Sequence, residues 1–521
     1  MVVVGGGLAG MVAALHLARG GMRVDLHEAS DRLGGKSGSD WSEEPGHLGY
    51  FSDHGYHVFP AWYHNTWALI RDLGIDGAFQ RRRHFWRLPL GRIGTRGKEG
   101  LRLRLALRLA QISPRSLVTA VDLVSRDEDE LETMSLACFI ATRWYNGPGT
   151  GQELRDISLK GLGNPADRAS AITFRANMRL LLKTLLKPNW TAAHGSLQEC
   201  FINPFADRLR EEGVTVHTAS RLTAVECTGS GDQLTVDALT IGGQRVTTAD
   251  RPVVLTLPHE RLTPLLAGAS DRLPAGLAHL GELRSRPMVA VDVHLARRIA
   301  GLPRKGHVIL DGSRLHLTVL DIRPVWTTGL PAGPDDTVLQ VIAADVTALA
   351  PGEDVIAAMV ADLRQFFPLL TSSDITRVVP HPNDGVPLFM NDVGTDRARP
   401  TSERAHGTNL HLAGDWCANP VQLACMEGAV LSAGLAATAV LGAAGRDGPE
   451  LRVPATAASP TAKGIRTALA PVCWLLGQPF DLAYRLRHRW PPADPLADQR
   501  RNGAIRRTRR RRRAQSPTES R

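Results

Sequence analysis

An α/β fold is predicted by three observations. The chain opens on a β-branched run that breaks into closely spaced glycines and then a helical pattern. A second apolar run ends in a glutamate shortly afterwards, and a further strand-to-helix pair stands near the far end. The first is Val2-Val3-Val4, read as a buried strand, followed by Gly5-Gly6-Gly7-Leu8-Ala9-Gly10 and an Ala/Leu-rich stretch over residues 11–19. Gly5, Gly7 and Gly10 make G-x-G-x-x-G at a strand-to-helix turn. The first glycine permits the tight turn, the second lets backbone approach a pyrophosphate, and the third lets the helix close on the strand. The helix N-terminus then faces the anion.

The second observation is the run MRVDLH over residues 22–27, which reads as the next strand and places Glu28 at its end, 18 residues after Gly10. A carboxylate there accepts hydrogen bonds from the ribose hydroxyls of an adenine dinucleotide and repels a 2′-phosphate. The third is Asn409-Leu410-His411-Leu412-Ala413-Gly414-Asp415, a short strand ending in Gly-Asp. Cys425-Met426-Glu427-Gly428-Ala429-Val430-Leu431-Ser432 follows and opens an Ala-rich helix running to about residue 441. Such a helix start offers free backbone N–H groups and its positive dipole end to a ligand.

Composition bounds the remaining classes. The 521 residues are 43% hydrophobic and 22% charged, which excludes a disordered or collagen-like chain. The formal net charge is +10, but residues 501–521 hold nine arginines against one acid, Glu519, leaving the rest at about +2. The basicity is a tail property with no recognition motif beside it, so no nucleic-acid function is expected. Six cysteines without a C-x-x-C pair give neither a disulfide framework nor a metal site, and Cys417 and Cys425 are read as packed thiols. The first 18 residues lack the basic n-region of a signal peptide. No uninterrupted apolar run reaches the ~18 residues of a membrane-crossing helix. A cytoplasmic location is expected.

Glu28-Ala29-Ser30-Asp31-Arg32-Leu33-Gly34-Gly35-Lys36 resembles the signature that follows the second strand in the FAD-dependent amine oxidase and phytoene desaturase superfamily. The resemblance implies that Arg32, Gly34 and Gly35 approach the FAD phosphates and ribitol. Lys36 is the form common in plant-type phytoene and ζ-carotene desaturases. Asp53-His54-Gly55-Tyr56-His57-Val58-Phe59, with Tyr63 and Asn65 beyond, resembles the block that lies beside the isoalloxazine. The Gly414-Asp415 and 425–432 blocks are similar to the C-terminal FAD motif of the desaturases. They imply Asp415 at the ribitol and pyrophosphate, and Met426, Glu427 and Ala429 at the flavin's O2 side. The strand beginning at Leu222 resembles the one whose backbone contacts adenine. Residues 253–258, ending in Pro258, resemble the strand that returns to the FAD domain.

The expected architecture is therefore α/β, a Rossmann-like FAD-binding domain carrying GxGxxG, joined to a discontinuous mixed-sheet substrate domain. The FAD domain draws on residues 1–78, 190–285 and 395–445 and the substrate domain on 79–189 and 286–394. Residues 446–521 form a C-terminal amphipathic segment and basic tail. FAD is expected to be non-covalent, because no flavin-linking motif is present. Many amine oxidases carry a lysine at the start of a substrate-domain strand. Here that place falls on Pro287 or Met288, and Val291-Asp292-Val293-His294-Leu295 instead resembles the Val-x-Val-His strand of the plant-type desaturases.

The resemblance implies hydride transfer from a long apolar isoprenoid to flavin N5, with a quinone or dioxygen as electron acceptor. No acid/base pair stands out, and no catalytic side chain is assigned. A reductive hydroxysqualene dehydroxylase-like activity, an amine oxidase, and a flavin-binding membrane-associated protein without turnover stay open. Two regions read as lipid-facing. Between Arg81 and Arg108 ten basic residues meet one acid, Glu99, and residues 101–109 alternate with period 2 as a strand would. Residues 465–490 combine Trp474, Leu475, Leu476 and Phe480 with a cluster of arginines, which suits a peripheral position at the cytoplasmic membrane face.

Overall fold

The computed structural model describes residues 1–81, 85–89, 114–147, 150–184, 187, 191–299, 302, 306–330, 337–368, 370–382, 387–479 and 481–482. These residues group into two compact units. The larger comprises residues 1–96, 180–390 and 395–455, and the smaller 97–179, 391–394 and 456–521.

The larger unit holds a five-stranded, wholly parallel sheet in the spatial order Leu410–Leu412, Val253–Leu255, Val2–Val4, Asp25–His27, Thr215–His217. Val2 stands in register with Val253 on one side and Asp25 on the other. The strands Leu410–Leu412, Val253–Leu255 and Val2–Val4 are buried throughout, as in a parallel sheet covered on both faces, and their valines and leucines enter one core. The glycine-turn helix runs Leu8–Arg19 and the C-terminal helix Met426–Ala443. They pack together so tightly that a Cβ on Gly20 would sit 2.3 Å from Leu441. Both elements match the sequence reading, the first starting one turn earlier than the apolar pattern alone indicates.

A six-stranded sheet lies in the same unit, in the order Ile375–Pro382, Val289–Leu295, Thr337–Ala343, Thr318–Asp321, His307–Asp311, Phe85–Pro89. Its strands pair antiparallel except the last two, which run parallel. It is the mixed sheet the sequence predicts, and all seven residues of Val289–Leu295 are buried. The helix Val355–Phe366 covers one face through Met359, Leu363 and Phe366. The hairpin Ser39–Glu44/His47–Asp53 reaches the sheet through Tyr50, whose hydroxyl donates to Asp292. The segment expected as a strand over 101–109 lies outside the described residues, as does most of the basic stretch 81–108.

In the smaller unit the helix Pro460–Leu476 packs on Pro114–Val124. Ala470 and Cys473 meet Val118 and Tyr145 in a small core. Arg115 is buried and donates to the Trp474 carbonyl from Nε (3.2 Å) and Nη2 (2.8 Å) while pairing with Asp481. Arg466 reaches Asp122 at 2.9 Å. On its other side the helix leaves Ile465, Leu469, Val472 and Leu476 exposed, together with Trp474 and Leu475. The first four fall at i, i+4, i+7 and i+11, one continuous stripe.

Candidate active site

The glycine turn has the steric logic its spacing predicts. Gly5 takes φ +105°, a left-handed conformation that side chains other than hydrogen rarely adopt. A Cβ on Gly10 would stand 1.7 Å from the Gly5 carbonyl oxygen, so the helix can close on the turn only without one. Thr256 locks the pair by donating from Oγ1 to the Val4 and Gly5 carbonyls at 3.0 and 2.9 Å. Gly7 is different, since a Cβ there would meet nothing nearer than the Gly35 Cα at 3.9 Å. The helix that starts at Leu8, Ala9 and Gly10 has no side-chain cap. Open space beside an uncapped helix N-terminus is where a pyrophosphate would sit.

The second glycine pair is brought against this turn. Gly34 donates to the Gly6 carbonyl at 2.9 Å and bridges Gly7, with φ +127° at Gly34 and +53° at Gly35. Glu28, at the end of the second strand, accepts from the Gly6 amide at 2.6 Å and, with its other oxygen, from Ser30 at 2.8 Å. The carboxylate therefore clamps the turn as well as standing where a ribose would lie, and Ala29 sits half-buried beside it. Arg32 is half-buried and lies over the Phe51 ring at 5.9 Å. Lys36 is 3.7 Å from Glu260, an acid that sequence reasoning missed. Glu260 stands in the first turn of the helix His259–Leu266, whose start is capped by the Pro258 carbonyl.

The block after the hairpin is half-buried to buried. Gly55 takes φ +145° against Ile342. Burial pushes the Tyr56 hydroxyl up to about 12, and its ring lies 3.9 Å from that of His307. Burial, followed by the neighbouring His54, pushes His57 down to about 4. The His57 Nδ1 is buried without a hydrogen-bond partner, an orphaned atom of the kind a bound group satisfies. His54 is desolvated too, yet its bond to Asp40 (3.0 Å) holds it above its ordinary value.

At the far end of the chain the Gly414 amide donates to Ser432 Oγ at 3.0 Å, and Asp415 follows, half-buried, with its carboxylate free of hydrogen bonds among the described residues. Cys425 caps the helix through the Gly428 amide. Two residues of this helix start already have partners. The Glu427 carboxylate is turned away from the glycine turn. It accepts from the Asn65 amide and Nδ2 (2.9 and 2.8 Å) and from the Thr66 amide and Oγ1 (2.9 and 2.7 Å). It thereby caps the helix His64–Asp72 and leaves only its backbone for a cofactor. The Ala429 amide is already bonded to the Cys425 carbonyl, so the free amides of this helix start are those of Met426 and Glu427. Leu222 places its side chain in the apolar core, so only backbone is on offer there. Burial pushes both the Cys417 and Cys425 thiols up to about 12, which keeps them protonated.

A polar cluster under the hairpin was not foreseen. Tyr50 Oη bonds both Asp292 and His294 Nε2 at 2.9 Å, and Ser52 Oγ bonds Asp292 and, at 2.6 Å, His381 Nε2. The run 291–295 had marked this strand, but nothing in it announced partners 240 or more residues away.

The flavin containing amine oxidoreductase family matches residues 8–441. A 15-cis-phytoene desaturase of Glycine max is 24% identical over 85% of this chain and 79% of its own length. A carotenoid phi-ring synthase of Streptomyces griseus is 27% identical over 85% and 87%. Among solved structures, cyclohexylamine oxidase from Brevibacterium oxydans superposes with a TM-score of 0.57 over 85% of this chain and 99% of its own, at 16% identity. A likeness that distant speaks for the fold alone. The family match runs from Leu8, at the end of the glycine turn, through the Asp415–Glu427 region, and the fold brings these two ends of the chain to one sheet. The chain belongs to the flavin containing amine oxidoreductase family and is an oxidoreductase of the amine oxidase and carotenoid desaturase superfamily.

Proposed function

We propose that this protein is an FAD-dependent desaturase-type oxidoreductase acting on a long apolar isoprenoid. The observation that carries the reading is the entry to the buried strand Val289–Leu295. It begins after Pro287 and Met288, where many amine oxidases have a lysine, and the nearby Arg286 is paired with Asp345. The likeness to the phytoene desaturase and the carotenoid synthase over 85% of the chain supports the same substrate class.

The residues present fit FAD. The groove at Gly7 and the uncapped start of the Leu8–Arg19 helix would take the pyrophosphate, Glu28 the ribose, and Arg32, Gly34, Gly35 and Lys36 the phosphate side. Asp415 and the amides of Met426 and Glu427 would meet the ribitol and the flavin ring. When bound, FAD supplies the hydride acceptor at N5 for an allylic carbon whose neighbour loses a proton as one C=C forms. The chain's own part is positional: it must hold the reacting carbon at roughly 3–3.5 Å and exclude water. Tyr56 and His57, raised to about 12 and lowered to about 4, are both neutral near pH 7, so this wall presents no charge to an apolar chain. A quinone or dioxygen takes the electron pair afterwards.

Anaerobic addition of phytoene in liposomes to the flavin-loaded protein is expected to bleach the flavin band near ~450 nm, whereas amines leave it unchanged. Bleaching by amines alone would overturn the reading.

An isoprenoid substrate resides in lipid, and the exposed stripe of Ile465, Leu469, Val472 and Leu476 with Trp474 fits a bilayer interface. The same reading puts the enzyme at the cytoplasmic face of a membrane. Replacing Val472, Trp474 and Leu475 by serine is expected to cut sedimentation with liposomes several-fold at unchanged flavin content. Undiminished sedimentation would remove this helix from the contact.

A further inference from the structure

Away from the glycine turn, the larger unit carries a second concave site with the chemistry of an anion receptor. A cavity of about 370 Å³ is lined by Ala61, His64, Trp67, Arg71, Thr191 and Arg452. That is the lower end of the roughly 300–1,000 Å³ typical of small-molecule pockets. His64, Trp67 and Arg71 stand at i, i+3 and i+7 of the helix His64–Asp72, hence on one face. Two further cations are in electrostatic reach. The pKa of His64 is lowered by burial first and then by Arg452, Lys187 and Lys183.

Among the described residues no carboxylate pairs with Arg71 or Arg452. The acids closest along the helix and beneath it are engaged elsewhere: Asp72 with Arg19 at 2.9 Å, and Glu427 with Asn65 and Thr66. Arg452 is also fixed in place. Asn65 donates from Nδ2 to the Arg452 carbonyl (3.0 Å) and accepts from the Arg452 amide (2.9 Å), so a buried side chain pins the segment that forms this wall. Position 452 lies beyond the stretch 8–441 that matches the family.

Uncompensated cations around one concavity repel each other and focus a positive potential into it. Guanidinium forks match phosphate oxygens two at a time. The Trp67 indole donates its Nε1 hydrogen to the Pro60 carbonyl at 3.0 Å. Its ring packs edge-to-face with Phe59 and Phe79 and gives the cavity an apolar wall.

We propose that this cavity binds a phosphate or diphosphate group, held by Arg71 and Arg452, with the first carbons of its ester against Trp67. The group could be carried by a small soluble ester or by a phospholipid headgroup, and both present the same oxygens. The site is separate from the glycine turn, so the proposal stands apart from the desaturase reading.

The test titrates inorganic pyrophosphate calorimetrically into the full-length, flavin-loaded protein. In parallel the protein is sedimented with phosphatidylcholine vesicles with and without phosphatidic acid. Arg71→Ser/Arg452→Ser and the charge-conserving Arg71→Lys/Arg452→Lys are compared with wild type. Wild type is expected to bind pyrophosphate saturably at one site. The serine variant should weaken that binding at least tenfold at unchanged flavin content, and the lysine variant should fall between. Pyrophosphate binding with phosphatidic-acid sedimentation equal in all three proteins assigns a soluble ester. Silence toward pyrophosphate, with phosphatidic-acid-dependent sedimentation lost in the serine variant, assigns a lipid headgroup. The proposal is overturned if neither ligand separates the serine variant from wild type. It is overturned equally if that variant loses its flavin, because the cavity would then belong to the cofactor site.

Discussion

Glu427→Ala is expected to lower the unfolding free energy by about 3–5 kcal/mol, among the largest single losses available in this chain. The carboxylate is 2% exposed and accepts four hydrogen bonds, two from Asn65 and two from Thr66. Truncation leaves the Asn65 and Thr66 amides and the Thr66 hydroxyl without that acceptor, and Asn65 Nδ2 with the Arg452 carbonyl alone. It also removes the cap from the helix His64–Asp72, and uncapping alone is worth about 1 kcal/mol. Asn65 keeps its two bonds to the Arg452 backbone but loses those that fix it from the Glu427 side. Glu427→Gln keeps one acceptor oxygen and should fall between. Urea unfolding followed by far-UV circular dichroism measures the difference. Because the carboxylate points away from the glycine turn, the glutamine variant should retain its flavin in full. Flavin loss at unchanged stability would restore a direct cofactor role for this side chain.

That residue also shows where the sequence stops being readable. Met426 and its neighbours announce a helix start next to a Gly-Asp strand end, and the structure delivers both. The direction of the Glu427 side chain depends on Asn65 and Thr66, which stand 362 and 361 residues earlier. No local pattern encodes such a pairing. The same holds for Tyr50 with Asp292 and for Lys36 with Glu260, contacts made only when the hairpin and the Pro258 turn are in place. What is legible is what short-range sterics dictate. Gly5 needs a positive φ, Gly10 needs the absence of a Cβ, and Val2-Val3-Val4 needs cover on both faces. The parallel sheet follows from these, since each strand-turn-helix unit returns to the same side. The apolar stripe on the helix Pro460–Leu476 was likewise visible as composition. Its partner helix Pro114–Val124 was not, because Val118 and Tyr145 carry no mark of what will pack on them.

Glu28 lies between these cases. Its place at the end of the second strand is a local signature, and a ribose-facing carboxylate is what that place implies. Its bond to the Gly6 amide is a consequence of closure, because the turn brings that amide to 2.6 Å from Oε2. One side chain thus stabilises the empty turn and stands ready for the ligand. Its removal alone would confound folding with binding.

The glycines separate the two effects, and a pair of alanine substitutions is expected to give opposite results. At Gly10 a Cβ would lie 1.7 Å from the Gly5 carbonyl oxygen and 2.8 Å from Thr256 Oγ1, both parts of a locked turn. The helix Leu8–Arg19 would have to move off the sheet, yet Leu8, Met11, Val12 and Leu15 on that helix are buried. Gly10→Ala should therefore abolish soluble, flavin-containing protein, as most relocations of a core helix do. At Gly7 the backbone is extended, with φ −71°, and the nearest atom to a Cβ is 3.9 Å away. Gly7→Ala should fold with wild-type stability. The new methyl would project into the groove between the two glycine loops, where the pyrophosphate is expected to approach the backbone. Flavin affinity should fall tenfold or more, equivalent to about 1.4 kcal/mol. The ratio of flavin to protein absorbance after gel filtration, with unfolding monitored in parallel, reads both quantities. If Gly7→Ala kept its flavin while Gly10→Ala failed to fold, the glycines would serve packing alone. The pyrophosphate would then have to lie elsewhere than in the space beside Gly35.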